Sequence, residues 1–134
     1  MKTYPLKTHF KQILSDTITP VSVYLKIRDR YPNSILLESS DYHANNNSFS
    51  YICFNPIASI KVENQTIVEQ YPDGTYSQTP IDPNTNVPER ITAFSQRFET
   101  DSNSFKFINN GLFGYIAYDA VRYFEDIDID KKQD

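Results

Sequence analysis

The run Ala58-Ser59-Ile60-Lys61-Val62-Glu63-Asn64-Gln65-Thr66-Ile67-Val68-Glu69-Gln70-Tyr71 decides the fold class. Ala58, Ile60 and Val62 alternate with Ser59, Lys61 and Glu63, the pattern of a strand with one face on a core and one in water. Asn64-Gln65 turns the chain into a second strand, Thr66–Tyr71. Pro72-Asp73-Gly74 turns it again into a third, Thr75–Gln78. Strands joined by turns this short form an antiparallel meander.

Outward from the meander, helical signals appear on both sides. Upstream, Thr19-Pro20 opens a helix: the threonine can cap free amides, and proline tolerates the first turn because its missing N–H is not used there. Val21, Tyr24, Leu25 and Arg28 follow at helical spacing, and Tyr31-Pro32-Asn33 ends the helix. A strand at Ile35–Glu38 comes next, then a polar loop from Ser39 to Ser48. Phe49–Phe54 is apolar on both alternating faces and reads as a central strand, broken by Asn55-Pro56.

Downstream, Thr79–Asn86 reads as a loop and Pro88–Glu99 as a helix with an apolar stripe of Val87, Ile91, Phe94 and Phe98. A polar loop at Thr100–Ser104 precedes Gly111–Tyr118, a strand with two glycines, and Asp119 is placed to cap a short helix through Phe124. Helices and antiparallel strands mix without regular strand-helix alternation. The class is α+β, antiparallel sheets packed with helices.

Composition narrows the function. The 134 residues carry a net charge of -4 with no clustered Lys or Arg, which argues against a nucleic-acid surface. The ten Tyr and nine Phe fall within periodic segments, so they read as core rather than as a base-stacking platform. The single cysteine, Cys53, lies in an apolar run without a nearby His. It reads as a packing residue whose thiol pKa burial raises, and its isolation suits a reducing compartment. The N-terminus lacks the apolar core of a signal peptide, and no window is apolar enough to span a membrane. The expected location is the cytoplasm.

No complete chemical constellation stands out. Gly111-Leu112-Phe113-Gly114 lacks the spacing of a dinucleotide or phosphate loop and reads as a site of close packing or a bulge. Asp126, Asp128 and Asp130 begin like a calcium loop, but Lys131 stands where that loop needs glycine. Asp41 and His43 have no further ligand at useful spacing. No catalytic residue and no metal site are assigned.

Several segments together resemble the N-terminal region of component I of anthranilate synthase, a chorismate-utilising family. They are Thr19-Pro20-Val21, then Leu36-Leu37-Glu38-Ser39, then Phe49-Ser50-Tyr51-Ile52 running to Asn55-Pro56, and last the run from Gly111 to Glu125. The resemblance implies an intact enzyme that converts chorismate to anthranilate with Mg2+, using ammonia from a glutamine amidotransferase partner. It implies that residues 1–134 are the regulatory region of a truncated chain, catalytically inert without the C-terminal chorismate-binding domain. It also implies feedback inhibition by tryptophan, with Glu38 and Ser39 matching the family's LLES pair, Pro20 the proline at the helix start, and Ser50 the serine of the following strand. An amino-acid effector needs an apolar slot and a few placed polar groups, and Leu36 and Leu37 are expected to supply apolar wall. The chain departs from the family at Asn45–Asn47, where some relatives carry a basic residue. Two alternatives stay open: component I of aminodeoxychorismate synthase, in which Asp replaces Glu38 more often, and a non-catalytic domain that binds a small amino acid.

Overall fold

The structure is a computed structural model that describes residues 2–38, 49–100 and 110–125. Its elements in chain order are β1 (Tyr4–Leu6), α1 (Pro20–Ile27), β2 (Ile35–Glu38), β3 (Ser50–Cys53), β4 (Ser59–Glu63), β5 (Thr66–Gln70), β6 (Tyr76–Pro80), α2 (Val87–Ser95) and β7 (Phe98–Thr100), followed by a 3₁₀ turn over Tyr118–Tyr123. The α+β class holds. The chain divides into two compact units, one of residues 1–6, 58–100 and 114–134, the other of residues 7–57 and 101–113.

The first unit is built on the meander β4-β5-β6, antiparallel throughout, with Glu63 opposite Thr66 and Gln70 opposite Tyr76. Asn64 and Gln65 both take positive φ, 50° and 55°, the left-handed pair of a two-residue hairpin turn whose twist matches that of its strands. Gly74, at φ 80°, makes the second turn, and the Asp73 carboxylate holds it by accepting from the Thr75 amide at 3.0 Å. The meander's third strand runs on through Pro80, into the segment expected to be loop.

Aromatic rings form the core of this unit. Tyr4, Tyr71 and Phe94 are buried, with Ala58, Ile60 and Phe98 packed against them. Tyr71 stacks on Tyr4 at 5.5 Å and meets Phe94 at 5.2 Å, so β1, the turn after β5 and α2 converge on one ring cluster. These rings serve packing, as expected, but others do not: Phe54, Tyr76, Tyr115 and Tyr118 are exposed, so periodic placement alone does not assign them to the core.

Two expectations are corrected here. The second helix ends at Ser95 instead of running to Glu99, and Phe98 lies in β7 rather than on the helical stripe. In β7 it pairs with Tyr4 across a parallel ladder and its ring sits 5.6 Å from that of Tyr4, a contact that α-helical continuation would forfeit. The Tyr4 amide also donates to the Arg97 carbonyl at 2.7 Å. Among the described residues the sheets are therefore antiparallel apart from this short parallel ladder.

The face of β5 that buries Ile67 also buries Glu69, since residues two apart in a strand share a face. A buried carboxylate needs partners. Glu69 accepts from the Ser77 hydroxyl at 2.9 Å and from the Arg90 guanidinium at 3.0 Å, and so ties α2 to the meander.

The segment expected to be a strand at Gly111–Tyr118 forms none among the described residues. Tyr115 is 92% exposed and Tyr118 89% exposed. A side chain added at Gly114 would meet nothing within 4 Å, so that glycine is not there for close packing. Strand-like φ/ψ becomes a strand only when a partner takes up its backbone groups. Nor does Asp119 cap the following turn: Ala117 occupies the cap position with no side-chain bond, and the Asp119 carboxylate accepts from Arg122 at 2.6 Å. Asp41, His43, Asn45–Asn47 and the Asp126–Asp130 run lie outside the described residues.

Candidate functional site

The second unit carries the residues of interest. Helix α1 starts where the sequence places it. The Ser22 amide donates to Thr19 Oγ1 at 3.2 Å and the Thr19 amide donates to Ser22 Oγ at 3.3 Å, a reciprocal cap. Pro20 occupies the first helical turn, exposed, with its φ fixed by its ring. The helix packs against β2 and β3, and the Tyr24 hydroxyl donates to the Ser34 carbonyl at 3.4 Å just before β2 begins.

β2 and β3 pair antiparallel, with Ile35 opposite Cys53, Leu36 opposite Ile52, Leu37 opposite Tyr51 and Glu38 opposite Ser50. Strand alternation then sorts the side chains onto two faces. Leu36, Glu38, Ser50 and Ile52 share one face, and Ile35, Leu37, Tyr51 and Cys53 share the other. Directly opposed residues in such a pair hold their Cβ atoms about 4.5–5.5 Å apart. The ladder thus ends in a carboxylate beside a hydroxyl, both exposed, next to a half-buried aliphatic pair on the same face.

This geometry brings two of the four expected site residues, Glu38 and Ser50, side by side. Pro20 stands at the start of the helix packed on the same two strands, and Ser39 lies outside the described residues. One assignment changes. Leu37, expected beside Leu36 as apolar wall, points to the opposite face with Tyr51, whose ring lies 5.5 Å from Phe113. Ile52 takes its place, a residue that register alone could have named. β3 is also shorter than expected, starting at Ser50, and among the described residues it pairs only with β2.

Cys53 sits half-buried on the face away from Glu38, and burial pushes its thiol pKa up. That disfavours the thiolate a nucleophile would need. Among the described residues no group of three or more His, Cys, Asp or Glu could hold a metal ion, so the described residues do not fit a Mg2+ site. A cleft of about 380 Å³ lies in the first unit, lined by residues that include Thr79, Asn86, Glu89 and Arg90 and none of the four expected site residues. No described helix is long and apolar enough to cross a membrane.

The β2–β3 face therefore presents an apolar pair leading to a carboxylate and a hydroxyl, with the capped start of α1 in the same unit. Over 119 residues the chain is 32% identical to anthranilate synthase component 1 of Lactococcus lactis, an alignment covering 87% of this chain and 24% of that protein. The chain resembles anthranilate synthase component 1. The enzymes of that name from Aquifex aeolicus and Thermus thermophilus are 29% and 30% identical over 93% and 90% of the chain. In each case the chain spans about a quarter of the relative's length, 24%. No protein-family profile and no solved structure matches it. Similarity to anthranilate synthase component 1 along nearly the whole chain covers every element from α1 to β7.

Proposed function

We propose that this chain is the regulatory region of an anthranilate synthase component I. In that reading the complete polypeptide works in the cytoplasm, converting chorismate and ammonia to anthranilate with Mg2+. A glutamine amidotransferase subunit delivers the ammonia, and tryptophan inhibits through the region described above. The observation that carries the reading is the similarity to three enzymes of that name along nearly the whole chain, 87–93% of it.

The β2–β3 face fits the regulatory role chemically. An amino-acid effector presents an ammonium, a carboxylate and an apolar side chain. Leu36 and Ile52 offer apolar surface, Glu38 offers negative charge toward the ammonium, and the Ser50 hydroxyl can donate to the carboxylate. Pro20 and Ser39 complete the proposed effector set. Inhibition follows if the effector binds an inactive arrangement of the whole enzyme more tightly than the active one, because a ligand shifts an equilibrium only by its differential affinity.

The test is to express the full-length polypeptide with its amidotransferase and assay products from chorismate with and without tryptophan. Anthranilate formation suppressed by tryptophan is the expected result. Aminodeoxychorismate as the product would transfer the chain to the folate-pathway relative, and absence of both products would leave only an amino-acid-binding role.

A further inference from the structure

We infer that Asn110-Gly111 is a site of spontaneous deamidation, at which Asn110 becomes aspartate or isoaspartate without an enzyme. The inference is independent of the enzymatic reading and needs no partner molecule. Several observations meet at this step. Glycine follows the asparagine, so no Cβ crowds the approach of its amide to the neighbouring side chain. Residues 110 and 111 lie in neither helix nor strand, and Gly111 is exposed. The Gly111 amide donates to no acceptor among the described residues.

The chemistry needs only water. The Gly111 nitrogen attacks Asn110 Cγ and closes a cyclic succinimide as the N–Cγ bond forms. The Cγ–Nδ2 bond breaks, the amide proton passes through solvent to Nδ2, and ammonia leaves. Water then opens the ring. Addition at Cγ gives aspartate, and addition at the backbone carbonyl gives isoaspartate, with the main chain rerouted through the former side chain. Nothing is oxidised or reduced. Before the reaction Asn110 Nδ2 donates to Thr8 Oγ1 at 2.7 Å, joining two segments far apart in the chain. Conversion removes that donor and puts a negative charge in its place.

Other steps in the chain have part of this arrangement and lack the rest. Gly74 follows Asp73, but its amide donates to the Tyr71 carbonyl at 3.0 Å. The Asp73 carboxyl is also held ionised by Lys2 and Thr75, which makes it a poor electrophile. After Asn33 and Asn84, the amides of Ser34 and Thr85 donate to the Tyr31 and Asp82 carbonyls, each at 3.0 Å. Asn55 precedes a proline, whose nitrogen carries no proton.

The test is peptide mapping of the full-length polypeptide during incubation at mildly alkaline pH, with isoaspartate counted by a repair methyltransferase. Asn110 converts within about tenfold of its rate in an unfolded peptide of the same sequence, because a step that needs no unfolding opens at almost no cost. Asn33 and Asn84 convert more slowly than in their own peptides by about 100-fold or more, since local unfolding must first free the amides that follow them. Asn110→Gln, whose longer side chain closes that ring poorly, loses the acidic species and leaves Gly111 in place. Conversion of Asn110 slowed by more than about tenfold in the native protein would overturn the proposal. So would Asn33 or Asn84 reacting as readily as Asn110, each against its own peptide, or the same acidic species arising in Asn110→Gln.

Discussion

Glu38→Gln in the full-length polypeptide is the substitution whose outcome the β2–β3 register determines. The exchange is nearly isosteric and removes only the charge. If Glu38 accepts from an effector ammonium, the loss is that of a hydrogen bond to a charged group, about 1.5–3 kcal/mol. Glu38 is exposed at the end of its strand, so water screens the contact and the lower end applies. A loss of about 1.4 kcal/mol is tenfold in affinity, so the tryptophan inhibition constant rises by about that factor while turnover without effector is unchanged. Ser50→Ala removes the hydroxyl that donates to the effector carboxylate, again a bond to a charged group at an exposed position, so the lower end of about 1.5–3 kcal/mol applies and the constant rises about tenfold. Because Ser50 stands directly opposite Glu38, the double variant departs from the sum of the singles. Leu37→Ala provides the control from the opposite face and leaves the constant within about twofold, a surface change of ordinary size. Steady-state inhibition curves at several chorismate concentrations measure these four variants together with Leu36→Ala, the apolar truncation on the face of Glu38. An unchanged constant for Glu38→Gln, or an effect of Leu37→Ala as large as that of Leu36→Ala, would refute the face assignment.

Three further outcomes concern the first unit. Phe94→Ala, at a side chain 1% exposed against Tyr71 and Phe98, costs about 3–5 kcal/mol, seen as a lower urea midpoint by near-ultraviolet dichroism. Gln65→Gly relieves a non-glycine residue held at φ 55° and, after glycine's own entropy cost, gains up to about 1 kcal/mol in the same titration. The Lys2 ammonium, with help from Thr75, holds the Asp73 carboxyl well below the usual carboxylate range. A depressed pKa stabilises the fold above the unfolded value of about 4, and the contribution is lost as pH falls through the folded value. Asp73→Asn therefore flattens the acid limb of a stability-against-pH curve below about pH 4 and lowers the plateau above it; identical limbs would show that the contact carries no stability.

What the sequence makes legible here is local. The meander follows from alternation and from turn residues two or three positions long, and α1 follows from Thr19 and Pro20, whose capping needs only neighbours. What it hides is non-local. The β1–β7 ladder joins Tyr4 to Phe98 in parallel, and three-residue strands leave no periodic trace of a partner so far away. Phe98 sits at helical spacing from Phe94 and Ile91, so periodicity assigns it to the helix, and only its contact with Tyr4 places it elsewhere. Gly111–Tyr118 fails the other way: its pattern is that of a strand, but pattern alone supplies no ladder. At the candidate site, the pairing of Glu38 with Ser50 and the reassignment of Leu37 both follow from register, which the eleven residues between the two strands leave open in the sequence.

Four glutamates sit in the described strands, and the contrast between two of them, Glu69 and Glu38, bears on structure against function. Glu69 is buried, and burial is tolerable there because Arg90 and Ser77 both donate to its Oε2. Its carboxylate is committed to holding α2 on the meander and is not available to a ligand. Glu38 forms no ion pair among the described residues, and as an exposed group it needs none. Its lack of a partner is therefore no sign of a site by itself. In the proposed reading, what sets it apart is the company on its face, an aliphatic pair on one side and a hydroxyl opposite, because an amino acid must be gripped by both kinds of surface at once. A charged residue that only met water at a strand end would place no such demand on Leu36, Ser50 or Ile52, so those three positions, more than Glu38 alone, distinguish a binding face from an ordinary strand terminus.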